Sequence, residues 1–268
     1  MPKIEKAYYA TSLGALRKSA GGYDRVYFGA EFCQWRLPAP AAVRKAFGIA
    51  DEMGIGFTLM TPWVTDAGIR KLRGLFSGLV PLVDNAVSPV EVVVNDFGVL
   101  TMLKEEFPSL VPVLGRLLAR QKRCPRVPGA IESIPEPGRD VYMHAGIEDP
   151  LAAGMLKRYG VKRVELDGPL QGMEVDLRPA RLKGSVYTPY VFVTVTRHCP
   201  ASFDATSWQS FTGCKIMGCT KNVLSLNNPD NGSRLLMRGN AQFVENLGAP
   251  NKLTGTGIDR IVYMEDLP

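Results

Sequence analysis

Short apolar runs rich in β-branched and aromatic residues recur along the first two thirds of the chain: RVYFGA (25–30), IGFTLMT (55–61), VEVVVND (90–96), LVPVLG (110–115), DVYMHAG (140–146) and VKRVELD (161–167). Runs that are apolar at nearly every position suit strands buried on both faces, as the strands of a parallel sheet are. Between several of them the apolar residues recur every three or four positions. Val43, Phe47, Ala50 and Met53 form one such stripe, and Ile69, Leu72, Phe76 and Leu79 another, which predicts amphipathic helices. A shorter helix is expected after Asp149 as N-cap and Pro150 in the first turn, with Leu151, Met155 and Tyr159 inward and Gly160 as its stop.

Strand and helix alternating at roughly 20–35 residues predict an α/β fold, with a TIM-like (β/α) barrel as the closed solution for a chain of this length. An open doubly wound sheet is the alternative, but no GxGxxG or P-loop follows any of the runs. After residue 185 the pattern changes. VYTPYVFVTVT (186–196) reads as one long strand, and NVLSLNN (222–228) and SRLLMRGNAQFV (233–244) as a hairpin around PDNG, so the C-terminal units of the barrel are expected to be irregular. No linker or repeat divides the chain, and residues 1–268 are expected to form a single barrel domain.

Composition adds a plain background. Of 268 residues, 46% are hydrophobic and 22% charged, which suits a globular domain with a sizeable core. No apolar run reaches the roughly 18 residues that span a bilayer, and MPKIEKAYYATSL lacks the apolar block of a secretory signal. The expected location is the cytoplasm, where thiols stay reduced unless a metal takes them. A net charge of +6 permits an RNA or acidic-substrate role without requiring one.

The chemistry concentrates in five cysteines. Cys199, Cys214 and Cys219 lie in RHCPASFDATSWQSFTGCKIMGC, and Cys33 ends VYFGAEFC. In a barrel, the C-terminal ends of the strands share one face, where active sites are built. Cys33 and Cys199 both follow strand-like runs and should reach that face, with Cys214 and Cys219 carried back to it. The gaps of 165, 14 and 4 intervening residues contain one close pair, whereas structural zinc sites usually show two. Spacing alone leaves three readings open: an iron–sulfur cluster, a zinc ion, or unligated buried thiols. Cys124, in ARQKRCPR, is either an activated thiol beside cations or an ordinary surface cysteine.

Other strand ends offer further candidates: Asn95 and Asp96 after the third run, Arg116 after the fourth, His144 in the fifth and Asp167 ending the sixth. Asp167 could orient a hydroxyl or accept a proton, and His144 could act as acid or base near neutral pH. The structural alternatives are an N-cap for Asp96, an ion pair for Arg116 and a hydrogen-bonded ring for His144. Glu31, Gln34 and Arg36 flank Cys33. His198 adjoins Cys199, and Trp35 and Trp208 could shield a cluster from water. Arg116, Arg120, Lys122, Arg123 and Arg126 could contact phosphates, or form a solvated face. There is no GxSxG and no HExxH.

The segments VYFGAEFCQWR, VEVVVNDFGVL, VPVLGRLLARQKRCPR, RHCPASFDATSWQSFTGCKIMGC and RLLMRGNAQFVENL resemble those of the collagenase-like peptidase family U32. The resemblance implies an iron–sulfur protein supporting oxygen-independent hydroxylation rather than peptidase chemistry. An early cysteine with a late trio is similar to the UbiV-type partner of oxygen-independent ubiquinone synthesis. That likeness implies that Cys33, Cys199, Cys214 and Cys219 ligate one 4Fe–4S cluster. It also implies a homologous partner subunit and a small-molecule substrate or oxygen donor. An RNA-modifying hydroxylase and a non-catalytic cluster-bearing scaffold are the alternatives.

Overall fold

The computed structural model describes residues 3–84, 86–197, 199, 214, 219, 223–227, 232–248, 253 and 255–268. Eight parallel strands close a barrel in the order β1 (Glu5–Ala10), β12 (Ile258–Tyr263), β7 (Lys183–Thr188), β6 (Arg163–Asp167), β5 (Val111–Leu114), β4 (Glu91–Val94), β3 (Gly56–Met60), β2 (Arg25–Gly29). The last strand in sequence closes it, with β12 lying between β1 (Glu5↔Arg260) and β7 (Ile261↔Val186). Five of the six apolar runs are barrel strands. The fifth, at 140–146, is not.

That segment begins in the helix α5 (Gly138–Met143), inside the long β5–β6 connection. The β5 strand pairs directly with β6, Leu114 opposite Val164, so no place in the sheet is left for it. The places expected for the fifth run and the late units are taken by β1, β7 and β12. EKAYYA and IDRIVY are short and mixed with charge, and their pattern does not announce buried strands. Their charges have a place because they face a buried ion network at the barrel floor.

Helices α1 (Leu13–Ser19), α2 (Pro40–Glu52), α3 (Asp66–Val83), α4 (Phe97–Glu106) and α6 (Pro150–Arg158) surround the first six strands. Both predicted stripes face inward: Val43, Phe47 and Ala50 are buried, as are Leu72, Phe76 and Leu79. Met53 lies past the end of α2 and is exposed. The α6 N-cap is as expected, Asp149 accepting from the Leu151 and Ala152 amides, and Gly160 has a positive φ of 75°. Leu151, expected inward, is 85% exposed, and Leu156 is the buried anchor.

The run 186–196 is two strands and not one. The proline at 189, without an amide proton, ends β7 in the barrel, and β8 (Tyr190–Val195) continues in a second sheet. That antiparallel sheet has the order β8, β11 (Ala241–Glu245), β10 (Arg234–Arg238), β9 (Val223–Asn227). The predicted pairing of 222–228 with 233–244 is present as β9–β10, but SRLLMRGNAQFV turns back on itself at Gly239, whose φ is 58°, to form β10 and β11. Phe192 and Phe243 of this sheet pack with Phe32 over the barrel mouth; the Phe32 and Phe192 rings stack at 4.8 Å.

Gly29 illustrates how tightly the mouth is built. Its φ of 138° lies where only glycine is comfortable, and a Cβ there would overlap the Met60 carbonyl of the neighbouring strand. Gly29→Ala is expected to cost about 2–3 kcal/mol through strain and overpacking, measured by urea unfolding. An unchanged midpoint would show that β2 and β3 can part there freely.

Candidate functional site

A cavity of about 660 Å³ opens at the C-terminal end of the barrel strands. Its walls come from the end of β1 (Tyr9, Thr11), the segment after β2 (Ala30 to Arg36), the loop after β3 (Trp63 to Thr65), Arg197, and the β10–β11 turn (Arg238 to Ala241). Cys33, Cys199, Cys214 and Cys219 all line it. Cys33 and Cys199, 166 positions apart in sequence, therefore line one cavity, because strand ends in a barrel converge whatever their order.

Cys33 follows β2 in extended conformation and precedes a single 3₁₀ turn, Gln34–Arg36. Burial pushes its thiol up, and the nearby Cys214 adds to this, against the Trp35 and Arg36 amides and the Arg36 charge. The wall is held by directed bonds. The Phe32 carbonyl accepts from Asn240 Nδ2 at 2.7 Å and Trp63 Nε1 at 3.3 Å, which ties the early segment to the second sheet. Gln34 Oε1 accepts from the amide and hydroxyl of Thr65, and Arg197 lies 4.5 Å over the Trp63 ring. Among the described residues, no group of three or more His, Cys, Asp or Glu side chains is arranged to hold a single metal ion.

Behind the cavity stands a fully buried charge network. Arg116 makes a bidentate pair with Glu31 (2.9 and 2.5 Å) and donates from Nη1 to Asp167 at 2.7 Å. The other Asp167 oxygen lies 2.6 Å from Arg123 Nε, and its first oxygen also accepts from the Phe192 amide. The Arg116 guanidinium packs over the Tyr187 ring, 3.8 Å from its centroid. Burial opposes charge on Arg116, but Glu31 and Asp167 hold its pKa well above the usual value. Of this network, Glu31 alone reaches the cavity wall.

The other candidates separate. Asp96 is the N-cap of α4, accepting from Gly98 and Val99, and its second oxygen takes the Val64 amide. Asn95 is buried, donating to the Thr61 carbonyl and accepting from the Leu117 amide, so it pins three neighbouring loops and does not line the cavity. His144 is not at a strand end: it caps α5, lies 3.2 Å from Glu148 and is outside the cavity. Trp35 lines the cavity and is 39% exposed, with Lys71 over its ring. His198 and Trp208 fall outside the described residues.

Cys124 lies elsewhere, in a shallow cavity with Lys122, Arg123 and Arg126. Burial raises its thiol, yet hydrogen bonds and charge from Arg126 bring it below the ordinary value overall. Arg116 and Arg123 are turned inward, so only Arg120, Lys122 and Arg126 of the basic stretch are exposed. The surface it offers to phosphates is smaller than its sequence implies. Tyr9, Thr11, Trp63, Arg197, Arg238 and Asn240 were not among the sequence candidates. Tyr9 sits on the unread strand β1 and Thr11 just after it, and Asn240 on an unread turn.

Fold and cavity together define a closed (β/α) barrel with a cysteine-lined mouth roofed by a small antiparallel sheet. Comparison of the sequence with protein-family models and with curated proteins finds no match. Over its whole length the chain is similar to a solved structure described as the U32 peptidase Mk0906, with 13% sequence identity and a TM-score of 0.51, covering 100% of this chain and 95% of that one. At that identity the likeness establishes a shared fold. Among the described residues no helix is long and apolar enough to cross a membrane.

Proposed function

We propose that this chain is an iron–sulfur protein in which Cys33, Cys199, Cys214 and Cys219 hold a 4Fe–4S cluster. In this reading it acts as a UbiV-type component of an oxygen-independent hydroxylase, with a homologous partner subunit and a ubiquinone precursor as the substrate class. The observation that carries the proposal is the meeting of Cys33 with the late trio Cys199, Cys214 and Cys219 around one cavity. A cube accepts thiolates from wider separations than a single zinc ion, whose four ligands must converge on one point. The donor set therefore fits the larger group better than the single ion.

Such a cluster, when bound, supplies single-electron transfer. The protein's own part is to hold and shield. The Phe32–Asn240 and Phe32–Trp63 bonds keep the Cys33 segment against the second sheet. Arg36 and Arg197 present positive charge to the cavity, while Glu31 brings a carboxyl whose charge is matched by Arg116. A polar small molecule would be oriented between them, with Trp35 and Trp63 excluding water. A peptidase reading finds less support. Among the described residues no imidazole stands ready to activate a cavity thiol, since His144 is engaged with Glu148 away from the cavity.

The test is anaerobic purification followed by iron, acid-labile sulfide and zinc analysis with a visible absorption spectrum. About four irons and four sulfides per chain with broad visible absorption are expected. One zinc without sulfide would overturn the cluster and the hydroxylation reading with it.

A further inference from the structure

The opposite end of the barrel holds a second set of buried charges. Glu5, Arg25, Glu91, Arg163 and Arg260 project from strands β1, β2, β4, β6 and β12, and hydrogen bonds and ion pairs commit most of the cationic donors. Arg260 gives Nε to Glu5 and its two terminal nitrogens to Glu91, with Nη1 also reaching the Tyr27 hydroxyl. Arg25 gives Nε to Glu5, Nη1 to the Phe57 carbonyl and Thr58, and Nη2 to Ser88. Arg163 gives Nη1 to the Gly184 carbonyl and Ser185, and Nη2 pairs with Asp259 at 2.7 Å.

Glu165 lies among these groups and receives none of them. Its carboxyl is 0% exposed, one oxygen accepts from the neutral Tyr27 hydroxyl at 3.0 Å, and the other has no hydrogen-bond partner among the described residues. An ionised carboxylate with a single neutral protein donor would recover little of its desolvation cost. Glu91 is the contrast. Burial works against its charge too, yet Arg260, Arg25 and Arg163 hold its pKa down to about 2. Two buried carboxyls in one layer are thus driven apart by where the arginine donors point.

We propose that Glu165 is a neutral carboxylic acid in the native barrel, and that its ionisation makes the fold pH-sensitive through the neutral range. Burial, reinforced by the charge on Glu91, outweighs Arg260 and Arg163 and raises Glu165 to about 7. The groups facing it are Tyr27 from β2, Glu91 from β4, Arg163 from its own strand, Ser185 and Tyr187 from β7, and Arg260 from β12. Both tyrosines are pushed upward by burial, Arg260 is held charged by Tyr27 and Glu91 against its burial, and Glu91 is ionised far below neutrality. Within this layer Glu165 is therefore the group that changes charge near pH 7.

The sign follows from proton binding. Between the ordinary glutamate value of 4.5 and about 7, the native state holds the proton and the unfolded chain does not. The stability contributed by Glu165 is fully present below the ordinary glutamate value, falls as pH rises through that window and levels off above it. A shift of this size corresponds to a full loss of about three-hundredfold in the folding constant, of which a little under a hundredfold falls between about pH 5 and about pH 8.

Urea unfolding of the intact protein from about pH 5 to about pH 8 tests this. Glu165→Gln keeps the shape without a titrating proton, and the wild-type folding constant should fall about a hundredfold relative to the variant across the range. Glu165→Met, of similar volume and without a polar end to satisfy, should flatten the profile in the same way and serves if the glutamine variant folds poorly. Profiles parallel to wild type in the variants that fold would overturn the proposal. The outcome does not depend on what the cysteine cavity binds.

Discussion

Arg116→Met is expected to lower the unfolding free energy by about 3–5 kcal/mol, the scale on which stranding one side of a buried ion pair is felt. The substitution leaves the volume nearly filled but strands Glu31 and Asp167, both fully buried, with Arg123 as the remaining nearby cation. Total stabilities of about 5–15 kcal/mol make that a large fraction of the fold. Arg116→Lys should recover only part of the loss, since one ammonium cannot give two parallel bonds to Glu31 and a third to Asp167. Adding Glu31→Gln and Asp167→Asn to Arg116→Met should restore more than the lysine does, because the stranded charges are then gone. Urea unfolding of the series is the measurement. A cost below about 1 kcal/mol for Arg116→Met would show that the acids are not held as ions by this arginine.

The second large effect is on metal content. Cys33→Ala is expected to strip most of the iron and sulfide from anaerobically isolated protein while leaving the far-ultraviolet spectrum of the barrel intact. Cys33 contributes little to the apolar core, so loss of its thiol is a modest packing change; loss of one of the four proposed ligands is not. Cys124→Ala is the control, since Cys124 sits in a different cavity, and should retain wild-type iron. Full iron and sulfide in Cys33→Ala would remove Cys33 from the ligand set and leave the late trio to be explained alone.

How much of this was legible in the sequence depends on which physical signal each element carries. Strands β2 to β6 are buried on both faces and announce themselves as continuous apolar runs. The floor strands β1 and β12 place Glu5 and Arg260 inside the barrel, where an ion network satisfies them, and a buried charge looks like a surface charge in sequence. DVYMHAG shows the reverse error: its composition suits a strand, but strand identity needs a free neighbouring edge, and β5 and β6 already share theirs. At the site, strand-end reasoning brought the four cysteines to one wall because it depends on topology rather than on spacing. It did not separate Arg116 and Asp167, which face each other in a structural network, from Glu31, which reaches the cavity. That distinction rests on side-chain direction. Asp96 as a cap was readable because capping is local in sequence.

The closing of the barrel by its last strand has a consequence for how the protein is made. β1 leaves the ribosome first and finds its partner β12 only when residues 258–263 emerge, some 250 positions later. Until then β1 and β7 each present a bare edge, and the thiol of Cys33 waits beside a wall that does not yet exist, since Asn240 and the late cysteines are made more than 160 positions after it. Long-separated pairings of this kind fold late and slowly. A nascent chain stalled before residue 195 therefore carries one cysteine of the future site and an open sheet. The cysteine-lined cavity is therefore complete only after the second sheet and β12 have been made.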